Sequence, residues 1–230
     1  MFKNFDQIAN LIYGLSEKSD GSMKVFGDEV NKKSRADFFS RQSMGSVVTA
    51  GLAHGNSVYS ATASDAGRIV PETDALVTNL SNLFLTVTVA DCFPVYFFNK
   101  ISNTVGIAHS GWYGTANNII VKSIKTIGGD PANIIAGIGP GIQACHFEVR
   151  EDVLGKFQNY EEAIINRDKK IFIDLPNIIS RQLIEAGLEA RNIENYGECT
   201  FCQKEKYFSF RRDKPKSVEA MVAYIGLNSF

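Results

Sequence analysis

The stretch VTVADCFPVYFFNKISNTVGIAHSGWYGT, Val87 to Thr115, decides how the rest of the chain is read. A cysteine follows an aspartate at the end of one apolar run, and a histidine ends a later run just before a glycine turn. Cys92 and His109 are 17 positions apart, the distance that two neighbouring strands and a short connection use. Strand ends are therefore expected to bring a thiol and an imidazole together.

Working outward, the first half is filled with short β-branched runs punctuated by Gly, Asn, Asp and Ser: SVVTAGL, DALVTN, LFLTVTV, VYFFN and TVGIAH. After GWYGT the pattern changes. In ANNIIVKSIKTIGG, Ile119, Ile120, Ile124 and Ile127 recur at helical spacing and Gly128 ends the run. ANIIAGIGPG reads as another strand and a tight turn. KKSRADFFSRQ, REDVLGKFQNY and LPNIISRQLIEAGL read as helices, the last with Pro176 near its start and Gly187 at its end. Strands and helices mix without regular βαβ alternation, so the expected class is α+β, in one domain spanning residues 1–230 with no repeat and no linker.

Twenty-four Lys and Arg against 25 Asp and Glu leave a net charge of −1, which predicts no general pull towards nucleic acid or an anionic membrane. A small-molecule partner is expected. The first residues, MFKNFDQIANLIYGLSEKSD, have too short an apolar core for a secretory signal, and no run approaches a membrane span, so the expected compartment is the cytoplasm. Four cysteines in 230 residues do not look like a secreted disulfide framework. Free thiols or metal ligands fit better.

The chain has three histidines, and two of them, His54 in LAHGN and His109 in AHSGW, sit where strands give way to turns and side chains can face a cleft. One Cys and two His make a zinc set: Zn²⁺ accepts thiolate and imidazole, and three protein ligands leave a position for substrate or water. The same residues equally make a thiolate nucleophile with a histidine base. An ordinary buried thiol is the competing reading. Asp91 adds a carboxylate beside the thiol, suited to general acid and base work or to capping a strand end.

The motifs AHGN, DALVT, VADCFPV, GIAHSGWYGT, GIGPGI and CTFC with YFSFRRD resemble, in that order, those of the multicopper polyphenol oxidase (laccase domain) family, also described as purine nucleoside phosphorylases or peptidoglycan editing factors. The resemblance runs from about Ile12 to Leu227. It implies a metal held by His54, Cys92 and His109, zinc or in some accounts copper, with Asp91, Cys92 and His109 as catalytic residues. It implies a fold like that of the cytotoxic necrotising factor catalytic domain: two packed mixed sheets flanked by helices, four layers in αββα order. Phosphorolysis of purine nucleosides and deamination of adenosine are the implied activities. Hydrolysis of misincorporated amino acids from UDP-muramyl precursors is an alternative. So is a metal that merely holds a binding protein together, while polyphenol oxidation ranks low because three histidines are too few for several coppers. The family usually carries Arg where this chain has Tyr113, Gln and Val where it has Leu52 and Ala53, and a Gly-Arg pair that KSVEAMVAYIGL lacks. The lost basic groups count against phosphorolysis specifically.

Further residues have two readings each. The glycine turn of GIGPGIQACHFEV offers backbone N–H groups to phosphate or serves only to turn the chain. Arg211 clamps an anion or sits on a solvated face, and Trp112 stacks on a purine or packs under its turn. For Cys199 and Cys202 in CTFC no second such pair completes a four-Cys site, so packing of a turn, with Cys145 nearby, is expected.

Overall fold

The computed structural model describes residues 1–214, 216 and 218–229. Five strands, Leu11–Leu15, Met221–Leu227, Leu83–Val89, Ser46–Gly51 and Ile69–Pro71, lie side by side in that order in one mixed sheet. Six more, Ile193–Asn195, Ile134–Ile138, Phe93–Asn99, Thr104–Ser110, Ala75–Thr78 and Val58–Ser60, form a second. A small antiparallel ribbon, Glu148–Val149, Lys170–Ile173 and Ile164–Arg167, stands apart.

Strand alternation explains the layering, because successive side chains point to opposite faces. In Met221–Leu227, Met221, Ala223 and Ile225 face the core between the sheets, while Val222 and Tyr224 face outward with Phe84 onto Phe38 of the helix Glu29–Arg41. In Phe93–Asn99, Tyr96 and Phe98 join the inter-sheet core, whereas Val95 and Phe97 meet the helices Ile119–Ile127 and Leu175–Glu185 on the far side. The result is helix, sheet, sheet, helix, the expected α+β arrangement in four layers. Both faces of each central strand are covered, which is why its sequence reads as a continuous apolar run.

The isoleucine helix spans Ile119–Ile127, shorter than the sequence pattern, because Asn118 takes a left-handed conformation (φ 60°) that separates it from the short helix Trp112–Ala116. Its four isoleucines are buried, each contributing about 1.5–3 kcal/mol of apolar transfer. Asp28 accepts the Asn31 N–H at 3.0 Å and starts the early helix at Glu29, ahead of the expected Lys32. Asp174 caps Leu175–Glu185 through the Asn177 N–H at 3.2 Å. REDVLGKFQNY differs from expectation: only Glu151–Leu154 is helical, since the chain turns after Gly155 to bury Phe157 completely. Among the described residues no helix is long and apolar enough to cross a membrane.

One connection positions the chemistry. Leu83–Val89 belongs to the five-stranded sheet and Phe93–Asn99 to the six-stranded sheet, so Ala90, Asp91 and Cys92 carry the chain from one to the other. Asp91 makes the crossing with φ 90°. Phe93 then pairs with Ser110 and Pro94 with His109 in an antiparallel hairpin. Cys92 emerges beside the end of the histidine strand.

Candidate functional site

His109 is buried near the end of Thr104–Ser110, and its Nδ1 lies 3.1 Å from Asp74 Oδ1. Asp74 precedes the strand Ala75–Thr78, whose Ala75 pairs with Ala108, and the His109 N–H donates to the Asp74 carbonyl at 2.7 Å. The ladder thus sets carboxylate and imidazole side by side. Asp74 Oδ2 accepts the Gly55 N–H at 2.8 Å and the Ala53 N–H at 3.4 Å, which ties down the loop carrying His54. His54 itself is exposed, with φ 57°, and its ring stands edge-on to that of His109 at 4.8 Å between centroids.

The donor atoms of His54, Cys92 and His109 all lie within 4.8 Å of one another. With Nδ1 turned to Asp74, His109 presents Nε2 to this point, the arrangement in which a carboxylate fixes the tautomer and orientation of a metal-binding imidazole. Burial alone would lower the His109 pKa, but the Cys92 sulfur and the Asp74 carboxylate outweigh it and raise it to about 9. The His54 pKa is lowered, by burial first and then by the neighbouring His109. For Asp74, burial acts to raise the pKa, and the His109 and Gly55 hydrogen bonds reverse it, so the net direction is down. A cation held by this set would compete with the proton on His109, since a ligating imidazole must be neutral.

Gly111 makes the close approach possible. A Cβ there would lie 2.8 Å from Cys92 Sγ and 3.8 Å from His109 Cε1. The three donors open onto a cavity of about 720 Å³, within the range of small-ligand pockets, whose wall also includes Asp91, Trp112 and Arg211. All the residues expected to carry function therefore share one cavity.

Their contacts differ. Asp91 is buried, its Oδ1 accepting from Thr200 Oγ1 and its Oδ2 from the Arg211 N–H, both at 2.7 Å, while its carbonyl accepts the Ile142 N–H at 2.8 Å. It joins three loops. Arg211 Nη1 donates to the Glu148 carbonyl at 2.9 Å and the guanidinium lies 5.6 Å from the Phe147 ring centre. Trp112 is half-buried, and Tyr113 is 46% exposed and packs edge-on against it. The glycine turn of GIGPGI is a structural turn: the N–H groups of Gly139, Gly141 and Ile142 donate to the carbonyls of Pro94, Glu198 and Asp91. An anion would find those donors already used.

Sequence reasoning missed two residues here. Asp74 was visible only as the first letter of DALVT, and its partnership with His109 needs the strand register. Thr200, inside CTFC, carries no signal that it would hold Asp91. CTFC has Cys145 nearby, as expected, and His146 joins them unforeseen, so that Cys145, His146, Cys199 and Cys202 place four donor atoms within 4.8 Å of one another.

Fold and donor set together define an α+β domain with a Cys/His cluster able to bind a metal in a cavity sized for a small molecule. The family model described as multi-copper polyphenol oxidoreductase laccase matches residues 23–228, and the chain belongs to this family. It is 33% identical over 218 residues to a purine nucleoside phosphorylase of Rickettsia conorii, covering 92% of this chain and 88% of that one. It is 30% identical over 213 residues to the purine nucleoside phosphorylase YlmD of Bacillus subtilis, covering 86% and 76%. Among solved structures, the Bacillus licheniformis hypothetical protein YfiH superposes with a TM-score of 0.90 at 28% identity over 95% of this chain and 93% of that one. YlmD from Geobacillus stearothermophilus gives 0.90 at 27% identity over 99% and 94%.

Proposed function

We propose that this chain is a zinc-dependent purine nucleoside phosphorylase that also deaminates adenosine, with His54, Cys92 and His109 as metal ligands. One observation carries the reading: those three donors converge within 4.8 Å in the wall of a cavity shared with an aromatic and a guanidinium side chain. Relatives named purine nucleoside phosphorylase supply the substrate class. A divalent cation bound there supplies Lewis acidity to an electronegative atom of the substrate or nucleophile. Copper suits the same three donors, but zinc fits a reaction with no electron transfer.

Phosphorolysis forms a bond from a phosphate oxygen to the ribose C1′ and breaks the C1′–N9 bond, whose electron pair leaves with the purine. The purine takes up the proton that hydrogen phosphate gives up. Asp91 is the group proposed to pass it across: its two hydrogen bonds use about half of a carboxylate's four lone-pair sites. In deamination a water oxygen bonds to C6, a water proton moves to the amino group and ammonia leaves. Trp112 offers its face to the purine, and Arg211, held against the Glu148 carbonyl, offers its remaining N–H groups to phosphate.

The test is to incubate the zinc-loaded protein with adenosine or inosine, with and without phosphate, and to separate the products. Ribose 1-phosphate with free base, and inosine from adenosine, are expected, both lost in Cys92→Ala. Formation of neither product class would remove the nucleoside assignment.

A further inference from the structure

The second cluster of donors has no part in that chemistry. We infer that Cys145, His146, Cys199 and Cys202 form a four-coordinate structural zinc site that clamps the loops behind the active cavity. Cys145 Sγ and Cys202 Sγ are 3.7 Å apart, and His146 Nδ1 is 3.2 Å from the first and 3.3 Å from the second. A tetrahedron with Zn–S of about 2.3 Å and Zn–N of about 2.0–2.1 Å has S–S edges of about 3.8 Å and S–N edges of about 3.5 Å. Cys145, His146 and Cys202 already stand close to three corners of such a figure, and the Cys199 sulfur lies within 4.8 Å of each. All four cysteines of the chain are free thiols.

Around the donors, the protein is arranged as ligand sites are. Cys199 is buried, and its sulfur accepts the Gln143 N–H at 3.5 Å, the kind of bond that orients a ligating thiolate. The His146 ring lies on Phe201, 3.9 Å between centroids and 14° from parallel, which fixes the direction of Nδ1. Gly141 bridges to Cys199, Thr200 donates to the Gly141 carbonyl at 3.1 Å, and Arg212 Nη1 donates to the carbonyls of Thr200 and Phe201 at 2.8 and 3.1 Å. Both loops are thus built before any ion enters. Three thiolates, a neutral imidazole and Zn²⁺ carry one net negative charge, and Arg167, donating to the Cys145 carbonyl at 3.0 Å, stands beside it.

The position gives the ion a purpose. Thr200, between ligand Cys199 and Phe201, holds Asp91, and Arg211 reaches the carbonyls of His146 and Glu148. Zinc joins the loop after Ile134–Ile138 to the CTFC turn, and those two segments are what support the Asp91–Cys92 crossing. Three sulfurs and one nitrogen with no open position favour zinc over the harder divalent cations, and favour a structural role over catalysis.

The test uses protein made with and dialysed against zinc chloride. Cys92→Ala, which lacks a ligand of the first centre, should retain one zinc per chain, and adding Cys145→Ser and Cys202→Ser, both at exposed positions, should abolish it. Cobalt in Cys92→Ala should show thiolate charge-transfer bands and intense tetrahedral visible bands that the triple variant lacks. In the unmodified chain, zinc should shield Cys145 and Cys202 from maleimide until chelator is added, as read by peptide mass spectrometry. This measurement decides the matter should the variants fail to fold. A metal-free Cys92→Ala protein, zinc retained by the triple variant, or equal labelling with and without zinc would each overturn the inference.

Discussion

Replacing Gly111 with alanine separates the position of one sulfur from the stability of the fold. The backbone there has φ −82° and ψ 174°, which alanine adopts without strain. Limiting the unfolded chain by this exchange is worth about 0.4–1 kcal/mol, so fold stability should stay within about 1 kcal/mol of the unmodified chain. The new methyl carbon would lie 2.8 Å from Cys92 Sγ, where ordinary contacts begin at 3.4 Å, so the sulfur must retreat by about 0.6 Å or turn to another χ1 rotamer. A displacement approaching 1 Å at a reacting centre costs about 100-fold in rate. Zinc affinity at the first centre should fall by about tenfold or more as one ligand leaves its place. The assay pairs chemical denaturation with zinc competition against a chromogenic chelator, in a Cys145→Ser, Cys202→Ser background so that only one centre is counted. Unchanged zinc affinity and turnover in Gly111→Ala would refute the idea that this sulfur must stand where it does. A loss of several kcal/mol would show that Gly111 serves the fold instead.

Asp74→Asn keeps the shape but gives one of its three hydrogen-bonding neighbours a donor facing a donor, and zinc affinity at His109 should drop about 10- to 100-fold by chelator competition while the circular dichroism spectrum is retained. Thr200→Val removes the bond to the Asp91 carboxylate at a fully buried position and should cost about 1.5–3 kcal/mol in urea denaturation. Tyr96→Phe deletes the hydroxyl that donates across the sandwich to the Gly14 carbonyl at 2.9 Å, with an expected loss of about 1 kcal/mol by the same measurement and no change in zinc content.

The sequence made the Cys92 and His109 pairing legible because both lie at the ends of apolar runs, and the hairpin Phe93–Ser110 brings those ends together. The isoleucine helix was legible for a similar reason, since periodicity and Gly128 are both local signals. Asp74 was not, because the tie between residues 74 and 109 exists only through a ladder whose register no local pattern prints. His146 joining Cys145, Cys199 and Cys202 was hidden for the same reason: two short loops from distant parts of the chain meet through a single bridge at Gly141. The helix expected across Arg150–Tyr160 failed where burial of Phe157 overrode the polar periodicity around it.

The strand Met221–Leu227 sits in the interior of its sheet, hydrogen-bonded to Leu11–Leu15 on one flank and to Leu83–Val89 on the other. During synthesis those two flanks emerge long before the segment that must separate them. Until it arrives, each offers an open, apolar edge to other chains or to each other in the wrong pairing. Assembly of this half of the molecule is therefore an insertion event that waits for residues 221–227, and a nascent chain held short of residue 221 is at its most prone to aggregate.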